Sequence, residues 1–307
     1  MAAHQDYLQF AFFEDNIVPF SNAKISIATN GLQYGVAIFG GVKGYLQNDG
    51  SIGIFRLEDH LQRMARSAKI LRFPYEFDTT KIRRAFLDLT KKNQPQTDVY
   101  YRPFIYRSDI MLSPAIKGDY NFSLHMLSLG DYFDKSRGMK VCVSSWTRNN
   151  DNALPPRTKA SGGYVNAALA MNDATASGYD AAIMLDSSGH VGEGAVMNMF
   201  MVRDGVLYTP QVTADILEGI TRRSVIELAQ KAGITVVERT IDRTELYIAD
   251  EVFFSGTATE LSWVTSIDSV AIAKTAGPIF SQISQAFRAA THDPTHQWLT
   301  IVKPAQS

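Results

Sequence analysis

Apolar residues recur along this chain at two spacings, which sort it into strands and helices. In the first third, Leu8 to Phe13 and Lys24 to Ile27 read as strands, and Ile52 to Arg56 as a strand running into a helix. Leu57, Leu61, Met64, Ala68 and Leu71 then fall on one face of a helix over about 57–71, closed by Phe73-Pro74. Ile82, Phe86 and Leu89 mark a second helix from about Thr79 to Lys92, with Pro95 beyond its end. Val99 to Arg107 and Phe122 to Leu129 return to strand character.

Asp131 to Gly138 is polar and contains Gly138, so it is the expected interdomain linker. The expected domains are 1–130, smaller and mixed, and 139–307, larger and richer in strands. Strands are expected over Met139 to Trp146, Ala181 to Leu185, Met199 to Arg203, Val206 to Tyr208, Thr235 to Arg239 and Glu251 to Ser255. Ser188-Gly189 and Asp204-Gly205 are two-residue turn signals. Helices are expected over Tyr164 to Ala176, Thr221 to Ala232 and about Pro278 to Ala290. Strands and helices do not alternate strictly, so the fold class is α+β in two domains rather than a doubly wound sheet.

Composition narrows the function classes. The 307 residues are 45% apolar and 20% charged, a globular profile with enough core for two domains. A net charge of −1 gives no global field for nucleic acid or an anionic membrane. No apolar run reaches the ~20 residues of a membrane span, and the first residues do not read as a signal peptide. The single cysteine, Cys142, reads as a buried core thiol, compatible with a reducing cytoplasm. His292 and His296 straddle Pro294, which argues against a helix presenting both to a metal.

Five segments carry candidate chemistry. Lys159, in Pro155-Pro156-Arg157-Thr158-Lys159-Ala160, sits between an expected strand and an expected helix, where a lysine can act as a Schiff-base nucleophile. An ordinary surface lysine is the alternative. Glu193, between Gly192 and Gly194, is a carboxylate whose small neighbours admit a flat ligand and which suits a protonated ring nitrogen, or else a hairpin glutamate. Leu217-Glu218-Gly219-Ile220-Thr221 leads into a helix whose free N–H groups suit a phosphate, or is a plain helix cap. Ser255-Gly256-Thr257-Ala258-Thr259 offers hydroxyls and N–H groups for a phosphate or carboxylate, or is a polar turn. Arg63 is a phosphate fork or a snorkelling surface arginine. Arg222-Arg223 reads as a solvated helix face. An amine, a carboxylate for a ring nitrogen and several phosphate donors together describe a site for pyridoxal 5′-phosphate.

With these segments in order, and with Tyr34-Gly35, His60-Leu61-Gln62-Arg63 and Tyr101-Arg102-Pro103, the chain resembles the fold-type IV pyridoxal-phosphate enzymes, most closely branched-chain amino acid aminotransferases. The resemblance runs from about Tyr7 to Ser269. It implies a small N-terminal and a larger C-terminal domain with the cofactor at their junction, and a homodimer or larger assembly. It implies that Lys159 forms the Schiff base, Tyr164 bonds the cofactor's phenolate oxygen and Glu193 pairs with its ring nitrogen. Arg63, Gly219, Ile220, Thr221, Gly256 and Thr257 would hold the phosphate, with Leu217 against the ring. Tyr100, Thr257 and Ala258 would bind the substrate α-carboxylate and Arg102 the distal carboxylate. Lys43 joins the substrate set, and Tyr34, Phe39 and Tyr132 would line an apolar pocket. The implied reaction is transamination of L-leucine, L-isoleucine and L-valine with 2-oxoglutarate.

Two segments depart from the family pattern. The usual Phe-Glu-Gly-Ile-Arg reads Phe39-Gly40-Gly41-Val42-Lys43, and the usual Glu-Gly-x-Gly-Glu-Asn reads Glu193-Gly194-Ala195-Val196-Met197-Asn198. Lysine does not reproduce the bidentate geometry of arginine. These departures open the reading of an (R)-selective amine or D-amino acid transaminase; in another reaction class, an aminodeoxychorismate-type lyase shares the lysine and phosphate motifs.

Overall fold

The computed structural model describes residues 6–130 and 137–304. Contacts divide the chain into two units. The first comprises Met1–Tyr132, Thr158–Gly162 and Ala290–Ser307; the second comprises Phe133–Arg157 and Gly163–Ala289. The units are discontinuous where the sequence suggested contiguous halves. Most of the expected linker, and Tyr132 with it, lies outside the described residues. Gly138 already belongs to the second unit, just before the strand Met139–Val143, and a side chain at that position would run into Trp263 and Thr265.

Each unit is built on a sheet that is nine-stranded among the described residues. In the first unit the order is Leu299–Val302, Ile52–Phe55, Val42–Leu46, Val99–Arg107, Tyr120–Ser128, Phe10–Phe13 and Asn16–Pro19, antiparallel throughout. Ala37–Phe39 pairs with the far end of Val99–Arg107, and Asp6–Tyr7 with Tyr120–Ser128. The helices Leu57–Ile70 and Thr79–Asn93 bury Leu57, Leu61, Met64, Ile82, Phe86 and Leu89 in the core over that sheet, the faces their spacing predicts. Asp78 caps the second helix by accepting from the Lys81 N–H. The expected strand at Lys24 to Ile27 does not form. Ile25 and Ile27 are exposed, and no neighbouring strand supplies the ladder that β-structure requires.

The second unit's sheet is mixed. Its order is Val191–Gly194, Ala181–Leu185, Met139–Val143, Glu260–Ile267, Glu251–Gly256, Asn198–Arg203, Val206–Pro210 and Val236–Arg239. Met139–Val143 runs parallel to both its neighbours, and Val206–Pro210 parallel to Val236–Arg239. Asp204 and Gly205, both at positive φ, make the expected tight hairpin turn. Met139–Val143 ends three residues short of the expected Trp146, because the Ser144 hydroxyl accepts from the Trp146 N–H and turns the chain. Tyr164–Ala176 and Ile220–Lys231 form as helices within a residue of expectation. Cys142 is half-buried rather than a fully buried thiol, packed against the alanine face of Tyr164–Ala176. Among the described residues no helix is long and apolar enough to cross a membrane.

Candidate active site

In the first unit the chain returns at Thr158–Gly162 to deliver Lys159. Its backbone is held on both sides. The Lys159 carbonyl accepts from the Phe39 N–H at 3.0 Å, and Ala160 bridges Ile38. The Lys159 N–H donates to the Ser67 hydroxyl at 3.4 Å, and that hydroxyl donates to the Arg63 carbonyl at 2.9 Å. The lysine segment is therefore tied to the helix that carries Arg63, whose residue is half-buried. Lys159 Nζ lies 5.1 Å from the centre of the Phe39 ring, and the Arg102 guanidinium lies 4.7 Å from the same ring and 5.2 Å from that of Tyr100. Cation–ring contacts of this kind orient charge without consuming a counter-ion. Lys159, Phe39, Arg102 and Tyr100 thus converge. Lys43 sits opposite Tyr100 in the sheet, buried, with Nζ 3.9 Å from Asp98 and over the Tyr45 ring. Tyr34 is exposed at the end of the short helix Asn30–Gln33.

The glycines of the departing segment have a steric reason. A Cβ on Gly41 would overlap the Tyr100 hydroxyl, and one on Gly40 would stand 2.6 Å from the Pro103 ring. The Tyr100 side chain and Pro103 lie directly on this backbone, so a glutamate at position 40 does not fit as the segment stands. His125, the cross-strand partner of Arg102, is pushed down to about 4 by burial and then by the Arg102 charge.

The second unit arranges its groups around Glu193, which is 4% exposed. One carboxylate oxygen accepts from Asn198 Nδ2 at 2.7 Å; the other accepts from the Leu217 N–H at 3.1 Å and faces Arg148 Nη2 at 2.7 Å. Asn198 Nδ2 also donates to the Leu217 carbonyl at 2.8 Å. The Leu217 peptide is thus pinned at both its polar groups. A Cβ on Gly219 would overlap Asn198 Oδ1, so glycine is required where this loop turns into Ile220–Lys231. Ile220 and Thr221 are buried in that helix's first turn. Thr257 and Ala258 follow the strand Glu251–Gly256 and are half-buried. On either side of them the buried hydroxyls of Ser255 and Thr259 have no hydrogen-bond partner among the described residues. Tyr164 opens its helix, packed on the cluster that contains Ala167 and Met184.

The chain matches the profile of the family described as amino-transferase class IV over residues 41–267. It is 41% identical over 296 residues to the probable branched-chain-amino-acid aminotransferase of Synechocystis sp., covering 95% of this chain and 96% of that protein. The chain belongs to the class IV aminotransferases. The branched-chain aminotransferase of Thermobaculum terrenum, solved in its PLP-bound form, superposes with a TM-score of 0.89 at 36% identity over 97% of this chain and 99% of that one. The T.th. branched-chain aminotransferase, solved with N-(5′-phosphopyridoxyl)-L-glutamate, gives 0.88 at 34% identity over 95% and 98%. The family is the fold-type IV pyridoxal-phosphate group that the motifs resemble, and the two-domain α+β architecture agrees with it.

Several groups of this aminotransferase leave no mark in the sequence. Ser67 and Asp98 carry no motif, and their partners Lys159 and Lys43 are distant along the chain. Arg148 likewise meets Glu193 only in the folded chain, 45 residues apart in sequence. Asn198 is visible as the end of the Glu193 segment, but its bridging of Glu193 and Leu217 is not. The glycines flanking Glu193 face protein: a Cβ on Gly192 would meet the Arg148 stem and two carbonyls, and one on Gly194 the Phe254 ring. Met197, one of the departures, is a core residue between the strands. Arg222 corrects the expectation of a solvated Arg222-Arg223 face. It is 5% exposed, donates to the Pro210 carbonyl and pairs with Glu238 at 2.6 Å, because its helix packs that side onto the sheet.

Proposed function

We infer that this chain is a branched-chain-amino-acid aminotransferase that uses pyridoxal 5′-phosphate and 2-oxoglutarate. The observation carrying this reading is the close likeness to such enzymes over more than nine-tenths of the chain, joined to the convergence of Lys159, Phe39, Tyr100 and Arg102. The donor set suits the cofactor. It contains an amine fixed by its backbone, a buried carboxylate, a helix start reached through a glycine whose Cβ would meet Asn198, and two buried hydroxyls with no hydrogen-bond partner among the described residues. When bound, pyridoxal phosphate supplies an electron-withdrawing ring that accepts charge from the substrate Cα.

The chain's own residues do the rest. Lys159 Nζ accepts the proton from the substrate Cα as general base and releases it as general acid. Glu193 Oε atoms accept from the protonated ring nitrogen, and Leu217 covers the ring. Tyr164 donates to the phenolate oxygen. The N–H groups of Ile220 and Thr221, the turn at Gly256 and Thr257, and the Arg63 guanidinium receive the phosphate. Tyr100, Thr257 and Ala258 bind the α-carboxylate, Arg102 binds the distal carboxylate of glutamate, and Phe39 and Tyr34 face the aliphatic group. The T.th. relative, held with a phosphopyridoxyl-glutamate, supports glutamate as the second amino acid.

We further propose a homodimer, supported by the exposed Ile110, Met111 and Leu112 of the first unit, and a cytoplasmic setting for its single free thiol. Light scattering at micromolar protein tests the first, and cell fractionation the second. The deciding experiment for the activity is a half-reaction screen. Purified enzyme is mixed with L-leucine, D-alanine or (R)-1-phenylethylamine and the cofactor's absorption is followed. L-leucine reacts fastest on this reading. A faster D-alanine reaction points to a D-amino acid enzyme, and pyruvate release from aminodeoxychorismate to a lyase.

A further inference from the structure

Arg148 occupies a position out of proportion to its surroundings. It follows a turn at the end of Met139–Val143, where its N–H donates to the Leu185 carbonyl at 2.8 Å. Its side chain then runs past Gly192, whose missing Cβ leaves room 3.4 Å from the Arg148 stem. It ends 2.7 Å from Glu193 Oε1, with 11% of its own side chain exposed and 6% of its partner's. Its Nε donates to the Asp215 carbonyl at 3.3 Å. Asp215, at φ +53°, is two residues before Leu217.

Arg148 Nη2, Asn198 Nδ2 and the Leu217 N–H all converge on the Glu193 carboxylate. A carboxylate offers about four lone-pair directions. Asn198 and Leu217 are neutral dipoles, which orient the group but do not balance a buried charge. Burial by itself favours the neutral acid, and a cation in contact reverses that preference. Arg148, 2.7 Å from Glu193 Oε1, is such a cation.

We propose that Arg148 is a positioning residue that acts through Glu193 to place the shared proton on the cofactor's ring nitrogen rather than on the carboxylate. This rests on the reading that Glu193 faces that nitrogen. With Arg148 present, Glu193 stays ionised and the nitrogen carries the proton. Without it, the same proton moves to a Glu193 oxygen, which then donates to a neutral ring nitrogen. No proton is gained or lost; its position changes, and with it the ring's capacity to accept charge. The contact with Asp215 gives the same side chain a second task, holding the loop that aims Leu217.

The test loads the parent, Arg148→Met, Arg148→Gln, Arg148→Lys and Glu193→Gln with 15N-labelled pyridoxal phosphate and reads the ring-nitrogen resonance. Cofactor dissociation constants are measured beside it. The resonance is expected at the protonated position in the parent and Arg148→Lys, and displaced toward the neutral position in Arg148→Met, Arg148→Gln and Glu193→Gln. Arg148→Gln keeps a donor for the Asp215 carbonyl, so it decides the matter if the methionine variant does not fold. A parent-like resonance in the neutral Arg148 variants, with Glu193→Gln displaced, overturns the proposal, and a raised dissociation constant would then mark Arg148 as a loop tether alone. A parent-like resonance in Glu193→Gln overturns the reading of Glu193 itself, and the proposal with it.

Discussion

The two units hold their functional groups by different physics. In the first, Lys159 and Arg102 share the Phe39 ring at 5.1 and 4.7 Å, and Tyr100 lies over bare glycine backbone. These are soft contacts with broad minima, each worth about 0.5–2 kcal/mol. In the second, Glu193, Arg148, Asn198 and Leu217 form a net of charged and neutral hydrogen bonds of 2.7–3.1 Å, closed at a position that only glycine fits. Such a net is directional and costly to break. The contrast matches the tasks assigned to each. On the proposed roles, aliphatic substrates of varying shape would meet an adaptable aromatic wall, and a single cofactor a rigid polar frame.

That contrast can be broken at its extremes. Lys159→Ala is expected to abolish multiple-turnover transamination while circular dichroism and non-covalent cofactor binding persist, because the segment's backbone bonds do not use the side chain. Sustained turnover by this variant would return Lys159 to the surface lysines. Glu193→Gln keeps the shape of the net but removes its charge. The single-turnover rate with L-leucine at saturating cofactor should fall about a hundredfold. An unchanged rate would mean that the second unit's frame is structural only.

The first unit should also respond to acid. A free histidine ionises near 6.5, whereas His125 is held at about 4 by burial and by Arg102. Above about pH 6.5 both states are neutral and His125 contributes nothing to pH dependence. As pH falls from there toward 4, the unfolded chain takes up a proton that the folded chain refuses, so stability drops, by on the order of 3 kcal/mol. Urea midpoints near neutral pH and near pH 4 should show a smaller acid loss for His125→Gln than for the parent. Equal losses would place the acid sensitivity elsewhere.

Arg63→Ala removes one charge-assisted phosphate contact, about 1.5–3 kcal/mol, and should raise the cofactor dissociation constant about tenfold or more. Titration of the apo-enzyme measures it, and equal affinity would make Arg63 a helix-surface residue. The smallest expected effect concerns the departures. Gly40 and Lys43 leave fewer groups that demand a carboxylate, so desolvating an uncharged side costs less. Weak half-reaction with (R)-1-phenylethylamine, well below L-leucine, is expected. A preference for the (S) enantiomer, or no reaction with either, would show that the soft wall still requires a carboxylate.

Much of this molecule is local and therefore legible in the order of residues. Periodicity placed Leu57–Ile70, Val99–Arg107, Tyr164–Ala176 and Ala181–Leu185 within a residue or so, because burying one face of a helix or strand imposes its spacing on the chain. Lys159, Glu193 and Leu217-Glu218-Gly219-Ile220-Thr221 could be singled out as candidates from the sequence because the proposed chemistry and turn geometry call for particular residue types in a short run. What tertiary structure alone decided is of another kind. Lys24 to Ile27 has strand composition but no neighbour to complete a ladder. Arg222 resembles any surface arginine until Pro210 and Glu238 are brought to it. Gly40 looks like a lost side chain until Pro103 fills its space. Arg148 gave no sign at all, since an ion pair between distant residues leaves no period and no motif; it exists only because the chain beyond Met139–Val143 folds back along the strand that carries Glu193 and brings opposite charges together out of water.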